Sequence, residues 1–474
     1  MMRSVVVFIL LGLAAHAAEA DLEDLKARLR MALQIARERN DRELVAKVET
    51  VGREIQAAPE SEAQVREVEN AVGIDPGGWS MAGQPLFHPT GQMRARQPDL
   101  EVKLATAMRT GDAEIVRGVT QEMLALLGIQ AGVPDGRRAG RKAEPRVMNE
   151  AEAVKLFVKA LKSEGRAVRQ LNEGRPLPDQ MVRLYADVLT GLTTVRPVAA
   201  RHVPEAAAEL DGLTHGVAAI LTRLQRPEGH FPFPDLRGKN IRFGDMIMRQ
   251  FKAAKAEVKD GWVITPDAAG GTQFDTGLCG TALLLAGKRN ANETWMKAGL
   301  RAADWALAQE CCANFNYNAF SVSLLAHAFR VTGQTRYLDA AMAKFRVGVA
   351  PGQAPNGRWM DPHNARTVYH VIILRALGDL GSALPAERRT ERAEVEAVAK
   401  PAVAALLDEF DAMGMTVEAL PELQTLAALQ PEDMRLKAAV RAMTSLILCK
   451  CTDGTRVKMG SSVVQLAAVA LTQD

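Results

Sequence analysis

Cysteines and long apolar runs are scarce in this chain, and each shortage excludes a class of protein. Five cysteines in 474 residues are too few for a disulfide scaffold. Their spacing also lacks the C-x2-4-C pairs of structural zinc sites, because two are adjacent, two are separated by one residue and one stands alone. A single disulfide between the pairs 311/312 and 449/451 is compatible with the spacing, and the sequence leaves the pairing open.

Strong charge of one sign is also lacking, and so are the usual nucleotide motifs. The net charge is +3 and the pI is about 8.5, without the clustered basic surface that nucleic-acid binding requires. Glycine fingerprints for dinucleotides and a serine nucleophile elbow are absent, and "GGTQFDTG" has no lysine and so is not a phosphate loop. We therefore expect no nucleic-acid partner and no cofactor.

The first twenty residues, "MMRSVVVFILLGLAAHAAEA", have the pattern of a secretory signal peptide. A cation at Arg3 precedes an apolar run, and two small-x-small sites follow at 15–17 and 18–20. The run is too short to cross a bilayer, and no later stretch reaches the roughly 18 apolar residues that a spanning helix needs. The pattern predicts an exported protein, periplasmic or extracellular, without stable membrane insertion after cleavage. A retained N-terminal anchor is the alternative.

Residues 21–146 divide into two accessory regions. Residues 21–72 carry apolar positions at helical spacing among mixed charges, which predicts an accessory helical hairpin or short coiled coil. Residues 73–146 begin with a loop rich in glycine and proline, continue with a helical pair at about 99–128, and end in the basic segment 132–146. That segment is interpreted as a solvated linker.

From residue 147 to 474 the chain is predicted to be helical and repetitive. Three segments share one layout, in which a polar or glycine-rich stretch leads into an apolar helix that ends in a turn. They are "GGTQFDTGLCGTALLLAGKRN", "ANFNYNAFSVSLLAHAFRVTG" and "DPHNARTVYHVIILRALGDLG". Helices with charged faces lie between them, and a fainter copy ends the chain. Aligned at Thr276, Ala319 and Arg366, the three helices begin 43 and 47 residues apart. A repeat of that length indicates one helical hairpin per unit. We predict an all-α fold, an (α/α) toroid of about six or seven hairpins, with an open solenoid as the alternative, because the repeated helices are apolar all round.

Polar segments that approach the inner helices would converge on one end of such a toroid. Helix N-termini there present positive dipole ends that suit an anionic substrate. Four segments are predicted to meet at this cleft: 227–245, 266–277, 314–318 and 357–370.

The stretches "DTGLCGTALL", "NYNAFSVSLLAHAFRVTGQTRYLDAA" and "NGRWMDPHNARTVYHVI" resemble exported carbohydrate-active enzymes with the (α/α) toroid fold. Within that group they are most similar to polysaccharide lyases that act on uronic-acid polymers. The resemblance covers about residues 205–385 and concerns layout and residue type. It implies a secreted lyase that cleaves an acidic polysaccharide by β-elimination.

β-Elimination needs an acid, a base and groups that neutralise the uronate carboxylate. The resemblance suggests Tyr317 as acid and His370 or His230 as base. The candidate substrate-binding residues are Asn316, Asn318, Arg366, His363, Asn364, Trp359 and Gln273. Each has a structural alternative: His370 is equally compatible with a buried core histidine, Tyr317 with loop packing against Phe315, and Asn364 with a helix cap.

Two other functions remain open from the sequence. A glycoside hydrolase on the same toroid would need two carboxylates, and Asp275 and Asp361 are the candidate pair. A helical-repeat module that binds a glycan or a protein without catalysis is the third possibility. Asp361, His363 and His370 do not have the spacing of metal ligands, so no metal site is predicted. The sequence leaves the oligomeric state, the polymer and the cleavage mode open.

Overall fold

The computed structural model describes most of the chain from residue 91 onward and part of the region before it. The described ranges are 42–54, 91–126, 149–163, 165–177, 180–235, 257–259, 262–263, 271–355, 357–359, 367–413, 419–430, 432–452 and 461–471, with single positions at 29, 32–33, 36, 64–65 and 67–68. The chain divides into two compact units. Most of the residues before 102 belong to the smaller unit, and the helical repeats belong to the larger one.

The smaller unit has its own apolar core. Helix α1, Arg42–Glu54, contributes Val48, which packs with two further sets of buried residues on either side of it in sequence. These are Leu29, Ala32, Ala36, Val65 and Val68. Lys47 and Glu67 form an exposed ion pair at 2.7 Å across the same packing. The accessory hairpin predicted over 21–72 falls partly on residues outside the described ranges, as do the signal peptide and the linker at 132–146.

Fifteen more helices and three short strands follow among the described residues. The helices up to the small sheet are α2 Gly91–Thr110, α3 Ala113–Leu126, α4 Glu150–Ser163, α5 Gly165–Asn172, α6 Val182–His202 and α7 Pro204–Leu224. Strands β1 Phe233–Pro234, β2 Val258–Lys259 and β3 Trp262–Val263 form an antiparallel sheet in the order β1-β3-β2. Phe233 pairs with Val263, and Val263 pairs with Val258 on its other side. The sequence did not predict this sheet.

The remaining helices alternate regularly to the end of the chain. They are α8 Gly271–Arg289, α9 Glu293–Ala308, α10 Phe315–Thr332, α11 Thr335–Gly348, α12 Thr367–Ala383, α13 Arg389–Met413, α14 Leu420–Leu429, α15 Met434–Thr452 and α16 Ser461–Leu471. None of the described helices is both long enough and apolar enough to cross a membrane.

Local capping explains where the repeated helices begin and end. Asn314 caps α10 by accepting a hydrogen bond from the Tyr317 backbone N–H at 3.3 Å, and Gly333 ends the helix in the left-handed conformation at φ 69°. The segment at 314–318 was expected to be an approach loop, but apart from its cap residue it is the first turn of α10. Likewise α8 begins at Gly271, so Gln273 and Asp275 lie on a helix and not in a loop.

The even-numbered helices α6 to α16 form a closed inner ring. Helix α6 packs against α8, and α8 packs against α10. Ser323 on α10 donates a hydrogen bond to Asp379 on α12, and Arg375 on α12 pairs with Glu422 on α14. Gln424 on α14 donates to a carbonyl of α16 at 2.9 Å, and α16 packs extensively against α6, where the ring began. An open solenoid has no such contact between its first and last inner helices.

The outer layer is formed by helices that precede or separate the inner ones. Helices α7, α9, α11, α13 and α15 alternate with the inner helices along the chain, and α4 covers the junction between α16 and α6. Six inner and six outer helices are thus present in the described part of the larger unit. The predicted all-α (α/α) toroid is confirmed, with six hairpins from the range of six or seven.

Candidate functional site

The inner face of the ring is partly open to solvent on α6 and α8. Partly exposed residues recur every three or four positions on these helices, which is the spacing of one helix face. They include Arg183, Asp187, Thr190 and Thr194 on α6, and Phe274, Leu278, Thr281 and Leu285 on α8. Asp187 interacts electrostatically with Arg375 of α12, the helix opposite α6 in the ring. The partly exposed face is therefore the one that lines the ring interior.

An ion pair joins α6 to α8 at the first turns of both helices. Arg183 donates from Nε and Nη2 to the two carboxylate oxygens of Asp275 at 3.0 and 3.2 Å. Asp275 is 2% exposed, whereas the Arg183 side chain is 29% exposed. The guanidinium also lies 4.0 Å from the centre of the Phe274 ring. Arg183 thus makes a bidentate ion pair with Asp275, and its guanidinium also contacts the face of the Phe274 ring.

A second arginine–carboxylate pair joins α12 to α14. Arg375 donates from Nε and Nη2 to the same oxygen of Glu422, with the Nε contact at 2.6 Å. The Glu422 side chain is 1% exposed and that of Arg375 is 34% exposed. The other carboxylate oxygen of Glu422, Oε2, is buried, and the described ranges contain no hydrogen-bond partner for it.

A third polar cluster lies deeper, between α10 and α12. Asp379 accepts a hydrogen bond from the Ser323 hydroxyl through Oδ2, and its Oδ1 lies 3.2 Å from His327 Nε2. Burial favours the neutral acid, but His327, Ser323 and Arg375 outweigh it and hold the pKa of Asp379 below its ordinary value. Both oxygens of Asp379 are therefore occupied, and the cluster is a buried ionic network.

Asp187 is the carboxylate between these clusters. Burial raises the pKa of Asp187 to about 6, against the opposing effects of Arg375 and Arg183, and Glu422 adds to the rise. Its side chain nevertheless remains partly accessible to solvent. A carboxyl group enclosed by protein and still accessible fits a position on the wall of an internal cleft. Such a group can carry a proton near neutral pH and deliver it to a ligand.

Tyr317 lies in the first turn of the inner helix α10, at the end of the toroid where α8 and α10 begin. Its ring is stacked 6.0 Å from Phe274, which also contacts Phe320 at 4.2 Å and carries the Arg183 guanidinium on its face. Tyr317 is partly exposed, as a group that meets a ligand must be. Its predicted role as an acid stays a prediction.

His370 and Trp359 lie between the inner and outer layers. His370 is 2% exposed, and its Nε2 contacts the backbone oxygen of Ala402 on α13 at 2.8 Å. Burial, with Arg358 nearby, lowers the pKa of His370 well below its ordinary value. Trp359 packs on His370 and donates to the Val349 carbonyl at 2.7 Å. These contacts are structural, so the predicted base and sugar-stacking roles gain no support from the positions of the two side chains.

His230 follows α7 and is 5% exposed against an outer helix. Its ring lies 5.6 Å from that of Trp305 on α9, and its Nδ1 is 4.0 Å from Glu228. The next residue, Phe231, donates its backbone N–H to Thr276 on α8 at 3.1 Å. The segment is thus pinned to α8, while the imidazole faces the outer layer, and the base role of His230 stays a prediction.

Two of the predicted substrate-binding amides hold the fold together. Asn318 donates to the Cys312 and Gly348 carbonyls and accepts from the Cys312 N–H at 2.9 Å. Gln273 donates to the Glu310 carbonyl and accepts from Ser321 at 2.8 Å, which links α8 to α10. Substrate binding would have to break these hydrogen bonds.

Asn316, the third predicted substrate-binding amide on α8 and α10, differs from Asn318 and Gln273 in its hydrogen bonding. It is fully buried, and neither its amide nitrogen nor its oxygen has a hydrogen-bond partner among the residues that the structure describes. It shares one face of α10 with Phe320, Ser323 and His327, at the spacing i, i+4, i+7 and i+11. Asn318 faces the outer helix α11 from the opposite side of α10, so Asn316 faces the ring interior.

Four predicted residues and one predicted pairing lie at least partly outside the described residues. The residues are Asp361, His363, Asn364 and Arg366. Cys279 and Cys311 are free thiols, and the side chains of Cys449 and Cys451 are outside the described part of the chain. Within the described ranges no group of three histidine, cysteine, aspartate or glutamate side chains could hold a metal ion.

Sequence reasoning missed most of the ring's charged interior. Asp187, Arg375, Asp379 and Glu422 were not singled out as candidate site residues. A signal was present, because Arg183 and Asp187, and again Arg375 and Asp379, stand four residues apart on helices that are otherwise apolar. Such a pair on one face of an inner helix can meet charges on other inner helices, as Asp187 does with Arg375.

Comparisons with known proteins give no family for this chain. No protein-family model matches it, and no curated protein is similar in sequence. Its structure is similar to that of an unsaturated glucuronyl hydrolase from Streptococcus agalactiae, with 11% identity, a TM-score of 0.45, and coverage of 73% of this chain and 97% of that one. A variant of the same hydrolase in complex with dGlcA-GalNAc6S is similar at a TM-score of 0.44. Values this low support no conclusion about activity, and the ring closure rests on the contacts within the chain itself.

Proposed function

We propose that the larger unit is a glycoside hydrolase and that Asp187 is its proton donor. The observation that carries the proposal is a partly accessible carboxyl group inside the ring whose pKa is raised to about 6. Glycosidases protonate the leaving oxygen with a carboxylic acid of raised pKa, and a second, ionised carboxylate acts on the sugar ring. Asp187 has the first property.

Glu422 is our candidate for the second carboxylate. Asp275 and Asp379 have both oxygens engaged, by Arg183 and by Ser323 with His327. Glu422 pairs with Arg375 through Oε1, and its Oε2 has no hydrogen-bond partner within the described residues. Its negative charge acts on Asp187, so the two carboxylates are close enough to influence each other. The pair Asp275 and Asp361 suggested by the sequence is thereby replaced in the proposal.

The test is product chemistry on a panel of acidic polysaccharides: alginate, glucuronan, pectate and glycosaminoglycans. Hydrolysis releases reducing ends without a new chromophore, whereas β-elimination also creates an unsaturated sugar that absorbs near the ultraviolet edge. We expect reducing ends alone, and a loss of about 100-fold or more in kcat for Asp187→Asn. Asp339→Asn, at a 55% exposed position on α11, is the matched control and should retain full activity.

β-Elimination is the second candidate, and the position of Tyr317 supports it. A partly exposed phenol stacks on Phe274, and the same ring carries an arginine that can neutralise a carboxylate. Stoichiometric formation of the ultraviolet-absorbing product, lost in Tyr317→Phe and retained in Asp187→Asn, would favour this candidate over hydrolysis. A chain with no activity on any member of the panel would favour the non-catalytic binding module.

A further inference from the structure

The two arginines of the ring interior each use only one edge of the guanidinium. Arg183 holds Asp275, and Arg375 holds Glu422, through Nε and Nη2 in both cases. For the Nη1 groups no partner is present among the described residues. The side chains are 29% and 34% exposed, although their acidic partners are almost completely buried. Each arginine therefore presents a free donor edge on an accessible surface.

Both free edges are fixed in place before any ligand arrives. Glu422 and Asp275 anchor the inner edges, and Phe274 supports the Arg183 plane at 4.0 Å. A guanidinium that is already oriented loses little conformational freedom on binding, and its planar edge matches the geometry of a carboxylate. This arrangement is unlike a surface arginine, which must be ordered by its ligand.

Unsatisfied polar atoms occur on three further inner helices of the same ring, α8, α10 and α14. Glu422 Oε2, the Thr281 hydroxyl and the Asn316 amide are buried and have no hydrogen-bond partner in the described part of the chain. Asn316 and Thr281 share the interior-facing sides of α10 and α8, and Glu422 is bound to Arg375. Buried polar groups are almost always paired in proteins, so three unpaired ones around a shared interior indicate a place for a polar ligand with its water.

We propose that a carboxylate group of the ligand binds the free Nη1 edges of Arg183 and Arg375, beside Asp187. The inference rests on the proposed function in taking the ligand to be a carbohydrate, and it adds that the carbohydrate is a uronic acid. The hydroxyl groups of a neutral sugar can accept from these edges, but they offer no charge-assisted hydrogen bond.

This position couples ligand binding to proton uptake. The charges that act on Asp187 are Arg183 on its own helix, Arg375 on α12 and Glu422 on α14, and Asp275 and Cys279 on α8 belong to the same electrostatic cluster. The two arginines favour the ionised form of Asp187. A ligand carboxylate bound to these arginines would add a negative charge close to Asp187, so Asp187 would take up a proton as the acid binds.

The first experiment measures binding by calorimetry in the Asp187→Asn variant, so that cleavage does not interfere. Tetrasaccharides of glucuronan, alginate and pectate are each compared with their methyl esters, in which an uncharged ester group replaces the carboxylate. We expect at least one acid to bind about tenfold or more tighter than its ester. If none of the three acids binds tighter than its ester, the inference is wrong.

Two arginine variants locate the effect. Arg375→Lys keeps a positive charge next to Glu422 and removes the planar edge, so it should fold and should lose most of the preference for the acid. Arg201→Gln, at a 61% exposed arginine, is the control and should keep that preference. An unchanged preference in Arg375→Lys and in Arg183→Lys would overturn the assignment.

Proton uptake is measured in the parent chain with a sulfur-linked acidic disaccharide, which is not cleaved. Binding heats in two buffers of different ionisation enthalpy should show net uptake at pH 7, and the uptake should vanish in Asp187→Asn. Tight binding of the acid without uptake would place the carboxylate away from Asp187. If Asp187→Asn still hydrolyses substrate but prefers acids over esters, the proposed function fails while this inference stands.

Discussion

Asp187 combines two properties that an ordinary core carboxylate does not share. It is partly accessible, yet its surroundings favour the neutral form and raise its pKa to about 6. A charged group enclosed in this way costs folding free energy, and functional sites commonly retain such groups. The cost gives a test of the site that needs no substrate.

The first prediction concerns the stability of Asp187→Asn. Because the folded-state pKa is above the ordinary value of 3.8, the folded chain holds an extra proton between about pH 4 and pH 6. Stability due to this group therefore falls as the pH rises through that window. Asp187→Asn should gain about 1–3 kcal/mol in the free energy of unfolding at about pH 7.5 and nothing at about pH 3.5. Urea unfolding at both pH values measures the difference, and an equal effect at both would contradict the account.

The second prediction separates structure from catalysis at His370. Its Nε2 contacts the Ala402 carbonyl, and its ring is covered by Trp359. His370→Ala should lower the free energy of unfolding by about 1–3 kcal/mol, because it removes a buried ring and its hydrogen bond. Turnover by the folded protein should stay within a factor of about three of the parent's. If turnover instead fell about 100-fold while stability was unchanged, His370 would be restored as a catalytic base.

At the scale of helices, the candidate site depends on the close packing of α8 against α10. A Cβ atom at Gly277 would lie 2.6 Å from the Cβ and 2.7 Å from the carbonyl oxygen of Phe320. These are backbone-level contacts that no side-chain rotation relieves. The two helices carry Phe274, Asp275 and Tyr317, so a shift between them would disturb the arginine edge as well.

The third prediction follows from this packing. Gly277→Ala should destabilise the larger unit by about 1–3 kcal/mol through overpacking, and should reduce activity in the protein that remains folded. Gly118→Ala on α3 is the control, since nothing lies within 4 Å of its added Cβ. There the helix propensity of alanine should add about 0.5–1 kcal/mol. Thermal unfolding of both variants measures the two effects. A Gly277→Ala variant as stable as the parent would contradict this account.

Sequence patterns predicted the helices better than the chemistry. The three repeated segments became α8, α10 and α12, since apolar residues on every face identify a helix buried on both sides. The loops preceding them were wrongly predicted up to 277 and 318, because their polar residues act as caps and inter-helix hydrogen bonds. Asn318 and Gln273 are examples: each binds backbone carbonyls of a neighbouring segment.

The partners that the interior charges meet could not be predicted, because they depend on ring closure. Asp187 and Arg375 are separated by most of the ring in sequence, and only the closed fold places them across one interior. Glu422 gives no local signal either, since its partner comes from the preceding inner helix. Side-chain direction decides function here, and helical repeats alone do not reveal which polar residue points inward.

At the scale of the whole molecule, the last helix completes the ring. Helix α16 packs against α6 and α4, and its residues from Leu466 to Ala470 are buried. Its removal would expose apolar faces on α4, α6 and α14 and would open the wall that carries Asp187.

The fourth prediction is that deletion of residues 461–474 abolishes cooperative unfolding of the larger unit. The deletion removes a helix that is buried on both sides, and with it several fully buried side chains. Burial of each large apolar side chain contributes about 1.5–3 kcal/mol to the free energy of unfolding. Deletion of residues 472–474 alone is the control and should leave the transition unchanged. A truncated chain with the parent's unfolding transition would mean that the ring does not depend on its closure.

The most direct test of the account is the pH dependence of reducing-end release on the best acidic substrate, measured for the parent chain, Asp187→Asn and Asp339→Asn. A proton donor with a pKa of about 6 predicts that kcat/KM of the parent falls tenfold per pH unit above that value. Asp339→Asn should follow the same profile, and Asp187→Asn should be at least about 100-fold less active throughout. An Asp187→Asn variant with the parent's rate and profile would show that this carboxylate is not the acid.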